Sequence, residues 1–409
     1  MRLLVVSQYF WPENFRINDL VEGLVDRGHQ VTVLTGKPNY PDGKVFGDFL
    51  THPVAFNRYK GAQIIRVPML ARGQGDLRLI LNYLSFALSA SILGPWQVRG
   101  QKFDAILAYE PSPITVGIPA AVLRAVKRAP LAFWVLDLWP ETLEAIGVIR
   151  SKTILCLVGK LVSAIYSRCD LILAQSRSFI PNIKQYAGTS ARIEYFPSWA
   201  ESSLKMIDVH PAPEVPLKNG AFDVLFAGNI GDAQDFPAIL AAAELLKGNQ
   251  DIRWLIVGDG RQASWVAEQI KFRGLQSNVL LLGQYAIDRM PSFFMHADAL
   301  LVSLRDEPIF ALTIPGKLQA YLITGTPILA MLNGEGADIV ERGQAGLTCP
   351  AGNYQALASA VLKLHQMSVE DRQVMGANGI CLSDREFSRD HLIGQLEAWL
   401  KGLHEMCRP

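Results

Sequence analysis

Neither sign of charge prevails in this sequence. Thirty-nine Lys and Arg stand against 38 Asp and Glu, a formal net charge of +1. A dedicated nucleic-acid binder would carry a strong basic excess, so nucleic acid is not expected as a partner. Cysteine is scarce: Cys156, Cys169, Cys349, Cys381 and Cys407 are odd in number, scattered, and lack metal-ligand spacing. They argue against a disulfide framework or a bound metal and fit reduced thiols in a cytoplasmic protein. The apolar run LLVVSQYF after Met1-Arg2 is short and gives way to WPEN, so it reads as a buried strand rather than a signal peptide. With 50% hydrophobic and 19% charged residues, little of the chain has the composition of disorder.

What the sequence does have is alternation. Its 409 residues exceed what one hydrophobic core holds, so two domains are expected. Leu3 to Val6 reads as a parallel-type strand, the helix after it buries Ile17, Leu20, Val21 and Leu24, and Val31 to Leu34 is a second strand. This βαβ unit places Tyr9 to Arg16 and Gly36 to Tyr40 at the carboxyl ends of strands, where such sheets hold ligands. Glu13 and Arg16 there are candidates for catalysis or substrate binding, or else solvate a loop. Leu77 to Trp96 is an apolar run approaching the roughly 20 residues of a membrane span, interrupted by Asn82, Ser85, Ser89 and Ser91 and ended by Gly94-Pro95. It reads first as a core helix, with contact to a membrane surface as the alternative. Phe103 to Ala108 leads into Tyr109-Glu110-Pro111. Leu131 to Leu136 leads into Asp137-Leu-Trp-Pro-Glu141. Asp137 and Glu141 suit acid/base or hydroxyl-orienting work, or else cap the following helix. Lys152 to Arg168 is a basic apolar helix of a kind that can lie on anionic lipid.

The polar, Pro-containing stretch Glu201 to Lys218 is the expected linker. Beyond it, Phe222 to Ala227 is a strand followed at once by Gly228-Asn229-Ile230-Gly231, with a helix opening at Asp232 to Asp235. Strand, glycine loop, helix lets backbone N–H groups approach a phosphate. Trp254 to Val257 ends in Gly258-Asp-Gly-Arg261, which puts Arg261 in reach of an anion or leaves it a solvated loop charge. Further strands at Val279 to Leu282 and Ala299 to Val302 precede loops carrying Tyr285 and Arg305-Asp306-Glu307. Four βα units predict a second doubly wound sheet.

The centre of this half is Thr313 to Ala330, TIPGKLQAYLITGTPILA. The spacing predicts a helix capped by Thr313, with Pro315 in its first turn and Leu318, Tyr321 and Leu322 buried. Gly325 ends it and Pro327 prevents its continuation. Free N–H groups near Gly316 with Lys317 beside them make a phosphate seat; the alternative is an ordinary αβ unit with a solvated lysine.

Taken in order, QYFWPENFRIND, GHQVTVLTGKPNYP, LDLWPET, FAGNIGDAQD, VGDGR and IPGKLQAYLITGTPIL resemble the retaining glycosyltransferases of the GT-B fold, glycosyltransferase family 4 type, in the O-antigen and capsule branch associated with L-fucosamine transfer. The resemblance implies an α/β protein of two doubly wound, Rossmann-like parallel-sheet domains facing a central cleft. The expected extents are 1–200 for acceptor binding, 201–220 as linker, 221–385 for the nucleotide sugar, and 386–409 as a helix crossing back, with Trp399 and Leu400 packing on the first domain. It implies metal-independent transfer, without cofactor, of a sugar such as L-FucNAc from a UDP-linked donor to an undecaprenyl-diphosphate-linked saccharide, in O-antigen, lipopolysaccharide, capsule or exopolysaccharide synthesis. Peripheral contact with the cytoplasmic face of the inner membrane follows.

The sequence departs from the family pattern where two glutamates are usual: Leu312 and Ala320 occupy those positions. Asn229 and Gln234 stand where Arg and Lys are usual, and Asp137 or a neighbour replaces a histidine. The expected site is therefore Asp137, Glu141 and Glu13 for catalysis. Lys317, Arg261, Gly228, Asn229, Gly231, Tyr285, Glu307, Thr313, Pro315 and Gly316 are expected to hold the donor, with Glu307 standing in at the ribose. Arg16, Tyr40 and Glu110 are expected at the acceptor. A catalytically inactive sugar-nucleotide subunit and a two-domain epimerase of similar fold are the competing expectations.

Overall fold

The computed structural model describes residues 1–406 apart from 42, 74, 146, 148, 150, 202, 203, 205, 207 and 219, with the side chain of Asp76 also outside the description. Cys407 and five positions of the expected linker thus lie outside the described residues. The chain divides into two compact units, Met1–Pro197 with Asp390–Pro409, and Ser198–Arg389.

The first unit is built on eight strands: β1 (Arg2–Ser7), β2 (Gln30–Thr35), β3 (Arg58–Tyr59), β4 (Ala62–Arg66), β5 (Ala105–Glu110), β6 (Leu131–Val135), β7 (Leu171–Ala174) and β8 (Ile193–Tyr195). Their order is β3-β4-β2-β1-β5-β6-β7-β8, and every pairing is parallel except β3 with β4. Val5 sits between Val33 and Leu107, and β5 and β6 are buried at every residue. This is why these strands read as continuous apolar runs rather than alternating ones. The strand order reverses beside β1, between β2 and β5. The helices Asp76–Gln97, Gly117–Lys127 and Lys152–Tyr166 connect successive rightward steps, so right-handed crossovers put them on one face.

The helix Arg389–Met406 belongs to this unit. Arg27 donates 2.7 Å to the Asp390 carbonyl and lies 3.4 Å from Glu397. Trp399 meets Phe196 edge-on at 6.1 Å.

The second unit carries β9 (Phe222–Ala227), β10 (Ile252–Val257), β11 (Val279–Gly283), β12 (Ala299–Ser303), β13 (Ile328–Met331) and β14 (Gly346–Cys349). The order is β11-β10-β9-β12-β13-β14, all parallel. The sheet is wider than the sequence reading of four βα units. The half-exposed edge β14 lacks the apolar run that reveals a central strand. Here the order reverses between β9 and β12.

Four local expectations need correction. Gly94-Pro95 does not end its helix, which runs to Gln97 with Pro95 in the last turn. Gly94 is there for packing: a Cβ would lie 2.8 Å from Leu34 Cδ2. Asp232–Gln234 forms a 3-10 turn and the α-helix starts only at Phe236, because Asp235 adopts a left-handed φ of 51°. Thr313 does not cap the helix Gly316–Leu322; it closes the preceding helix Pro308–Leu312, its hydroxyl donating 3.0 Å to the Ile309 carbonyl. Pro315 accordingly occupies the N-cap position instead of the first turn.

Candidate functional site

In the second unit the switch point lies at the carboxyl ends of β9 and β12, where doubly wound sheets bind ligands. The two loops there are tied together: Ser303 Oγ donates 2.7 Å to the Gln234 carbonyl and Arg305 N–H 2.9 Å to that of Ala233. The glycine loop also bonds to the loop after β10, through Ile230 N–H to the Asp259 carbonyl at 2.9 Å. Gly258, at φ 146°, is required by this approach, since a Cβ would sit 1.9 Å from the Gly228 carbonyl oxygen.

Lys317 is placed by its own helix. Tyr321, one turn on and fully buried, accepts from Ala227 N–H at 2.9 Å and donates to the Ala227 carbonyl at 3.3 Å. That pair of bonds fixes the Gly316–Leu322 helix to the end of β9 and lays the lysine stem over Gly228. A Cβ on Gly228, whose φ is 134°, would lie 2.5 Å from Lys317 Cε. The ammonium rests 3.7 Å from the centroid of the Phe226 ring. Burial lowers its pKa from 10.5 to about 7, because a charge removed from water without a carboxylate partner is disfavoured. A lysine so poised gains its proton when an anion arrives. The helix it starts has seven residues, so the lysine, more than the helix dipole, supplies the positive potential.

The remaining expected donor residues surround this niche unevenly. Exposed Asn229 and half-buried Gln234 turn toward each other: Gln234 Oε1 accepts from Gly231 N–H at 3.1 Å and from Asn229 Nδ2 at 3.5 Å. Arg261 is exposed on the loop after β10. Glu307 precedes the Pro308–Leu312 helix in extended conformation. Tyr285 lies beyond β11, its ring 4.6 Å from Phe293 and under the Arg289 guanidinium. Arg305, Gln262 and Trp265, none of them among the expected site residues, line with Gly231 and Asp235 a recess of about 510 Å³ beside the glycine loop. An arginine on a loop after a strand was the available signal.

In the first unit the loops after β1, β2, β5 and β6 gather the other candidates. Glu13 is buried, its carboxylate accepting from Asn39 N–H at 2.7 Å, Tyr40 N–H at 2.8 Å and Phe10 N–H at 3.1 Å. It clasps two loops together, and burial nonetheless raises its pKa. Tyr40 packs on Phe15 and Tyr9 with the Arg72 guanidinium 5.2 Å above its ring. Arg16 opens its helix beside buried Tyr109, whose hydroxyl meets the Arg16 backbone N–H. Asn82, which interrupts the apolar helix, is wholly buried and accepts from Gln8 at 2.8 Å while donating 2.6 Å to the Leu70 carbonyl. Its polarity serves the loops, not solvent.

Glu110 and Asp137 form a coupled pair. Glu110 is fully buried, with Oε1 unpartnered and Oε2 accepting from Asp137 N–H at 3.4 Å. Desolvation and then the Asp137 charge push its pKa well above the usual carboxylate range. Asp137 accepts from Thr142 Oγ1 at 2.5 Å and Trp139 Nε1 at 3.1 Å. Burial raises its pKa against the pull of these donors and of the Ser112 hydroxyl. Ser112 sits at φ 122°, a strained conformation of the kind found at functional sites. Two carboxyls in one low-dielectric pocket favour one proton and one charge between them. Glu141 lies apart from them, bonded at 2.9 Å by the Tyr186 hydroxyl beside a pocket of about 670 Å³.

Two largely parallel α/β sheets, each with open loops at its switch point, are the architecture of the GT-B fold. Residues 14–199 match the glycosyl transferase 4-like domain and residues 221–367 the group 1 glycosyl transferases. The chain belongs to this group 1, glycosyltransferase 4-like family and is a transferase enzyme. It is 24% identical over 340 residues, 80% of this chain and 82% of the relative, to WcaI of Escherichia coli K12, provisionally named a colanic acid biosynthesis glycosyl transferase. A 2-deoxystreptamine N-acetyl-D-glucosaminyltransferase of Niallia circulans is 27% identical over 146 residues, 36% of each chain. Among solved structures, Anabaena HepE in complex with UDP and glucose superposes with a TM-score of 0.68 at 16% identity, covering 98% of this chain and 100% of that one.

Proposed function

We propose that the enzyme is a retaining glycosyltransferase that draws its sugar from a UDP-linked donor seated on the second unit. The observation carrying this reading is Lys317, its stem laid over Gly228 at the β9–β12 switch point. The HepE complexes, described with UDP, glucose and UDP-glucose, support the donor class. In the reaction the bond from C1 to the diphosphate oxygen breaks and its electron pair goes to the diphosphate. The acceptor hydroxyl oxygen bonds to C1 on the same face, and its proton passes to the departing phosphate oxygen. Protonated Lys317 neutralises the charge that develops there, with Arg261 and the N–H groups near Gly316 assisting. Asp137 orients the acceptor hydroxyl, and Glu110 keeps that pocket at a single negative charge. Glu13 and Tyr40 shape the loops around it.

The acceptor in this reading is an undecaprenyl-diphosphate-linked saccharide and the sugar an N-acetylated deoxyhexosamine such as L-FucNAc, in O-antigen or exopolysaccharide assembly. The provisional colanic acid name of the WcaI relative supports a surface polysaccharide. Transfer proceeds without a metal or other cofactor. UDP release from a panel of UDP-sugars, with and without lipid-linked acceptor, tests the assignment. Lys317→Ala should lose most turnover while keeping its fold; normal turnover in that variant contradicts the proposal.

A further inference from the structure

The helix Asp76–Gln97 is the one described helix long and apolar enough to cross a membrane, yet only 28% of its most apolar window is buried. One side does pack inward, with Phe86, Ala87 and Ala90 in the core of the first unit, so the helix is held to the protein surface. Its other side is bare. Leu77, Leu81, Leu84, Leu88, Ile92 and Trp96 recur at three- and four-residue intervals and are between 42% and 71% exposed. That is one continuous apolar stripe six turns long. Scattered exposed leucines need no explanation, but a contiguous stripe does.

The charge around the stripe identifies its occupant. The helices Asp76–Gln97, Gly117–Lys127 and Lys152–Tyr166 share a face of the first sheet and contact one another in sequence. From Leu77 on, none of the three contains an Asp or Glu. They carry Arg78, Arg124, Lys127, Lys152 and Lys160, of which Arg78, Lys152 and Lys160 are exposed. On the Lys152–Tyr166 helix Ile154 and Leu157 are 47% and 59% exposed beside those lysines. Arg99 stacks 4.3 Å over the exposed Trp96 ring at the end of the stripe. By contrast Arg16–Asp26 and Arg389–Met406 contain Asp19, Glu22, Asp26, Asp390, Glu397 and Glu405. Glu141 and Glu144 line one pocket with Lys152 and Lys160, and Asp170 pairs with Arg124, but the stripe itself is flanked by exposed Arg78 and Arg99 without an acid on its helix from Leu77 on, a combination complementary to anionic lipid headgroups over acyl chains. Against a second copy of itself it would set cation against cation.

We propose that this three-helix face docks the enzyme on an anionic bilayer, with the Leu77-to-Trp96 stripe lying in the headgroup region parallel to the membrane plane. None of the stripe residues is assigned to donor or acceptor binding, so the inference stands or falls independently of the donor assignment.

Flotation of the full-length protein with phosphatidylcholine vesicles, with and without phosphatidylglycerol, tests it. Wild type should float with the phosphatidylglycerol vesicles and bind pure phosphatidylcholine at least about tenfold less. Leu84→Glu/Leu88→Glu should abolish flotation while circular dichroism and melting temperature stay at wild-type values. Lys152→Glu/Lys160→Glu should weaken binding to the anionic vesicles alone. Wild type remaining unbound, or the Leu84→Glu/Leu88→Glu protein floating equally well, overturns the proposal. So does a wild-type dimer in sedimentation equilibrium that this double variant dissolves. UDP-induced thermal stabilisation, measured without lipid, should persist in both variants; its absence from wild type would count against the donor reading and leave this one intact.

Discussion

Replacing Lys317 by methionine should make the protein more stable and less active at once. The side chain is half-buried, rests on Phe226, and has its pKa lowered from 10.5 to about 7. Each pH unit is worth about 1.4 kcal/mol. The interval from 10.5 to about 7 therefore bounds the burden of holding this charge at about 5 kcal/mol. The sign follows from proton linkage: between those two values the unfolded chain keeps a proton that the folded one has lost. Stability therefore rises with pH across that window and is flat below it. Methionine retains the stem and drops the charge, so its gain over wild type should be largest below pH 7. By pH 9 that gain should shrink by up to about 3 kcal/mol, and by roughly half that once solvent screening is allowed for. Urea denaturation of both proteins at pH 6.5 and pH 9.0 measures this directly. In the same samples UDP should stabilise wild type and leave Lys317→Met unmoved. A methionine variant with the same gain at both pH values would refute the argument, because the lysine would then carry no displaced titration.

Three other substitutions probe the same framework. Gly228→Ala brings a Cβ within 2.5 Å of Lys317 Cε at a φ of 134°; it should destabilise by about 1–3 kcal/mol and raise the UDP dissociation constant more than tenfold by calorimetry. Glu13→Ala strips three backbone N–H groups of their acceptor and should cost about 1–3 kcal/mol in chemical denaturation, with faster amide exchange at Asn39 and Tyr40. Glu110 binds its proton more tightly folded than unfolded, so wild-type stability falls as pH rises above the ordinary carboxylate range. Glu110→Gln should remove that decline, gaining on wild type between pH 5 and pH 8 in thermal melts; a gain that does not grow with pH would contradict the buried pair.

The fold was readable because both sheets are parallel and covered at their centres, so their central strands appear as apolar runs punctuated by Gly, Asn and Pro. Where burial is partial the signal fades. β14 passed unnoticed in this way, and Thr313 looked like a cap for the wrong helix because a threonine before Pro-Gly suits either side of a loop. Lys317 and Gly228 were recognisable as separate motifs 89 positions apart. Their contact depends on Tyr321 reaching Ala227, which no local pattern announces. Glu13 illustrates the reverse difficulty: a loop carboxylate looks chemical in a sequence, but its oxygens are occupied by three amides. The apolar helix from Leu77 read first as core, yet most of its leucines face outward. Composition measures how apolar a helix is, and only the packing of its neighbours decides which side is covered.

The first unit is discontinuous: its closing helix, Arg389–Met406, follows the whole of the second unit in the chain. During synthesis the amino-terminal sheet emerges from the ribosome long before the segment that covers Phe196 and satisfies Arg27. It must wait, partly uncovered, through the translation of nearly two hundred further residues. A nascent chain arrested after Pro197 should therefore expose apolar surface to chaperones, and appending Arg389 to Met406 in trans should shield it.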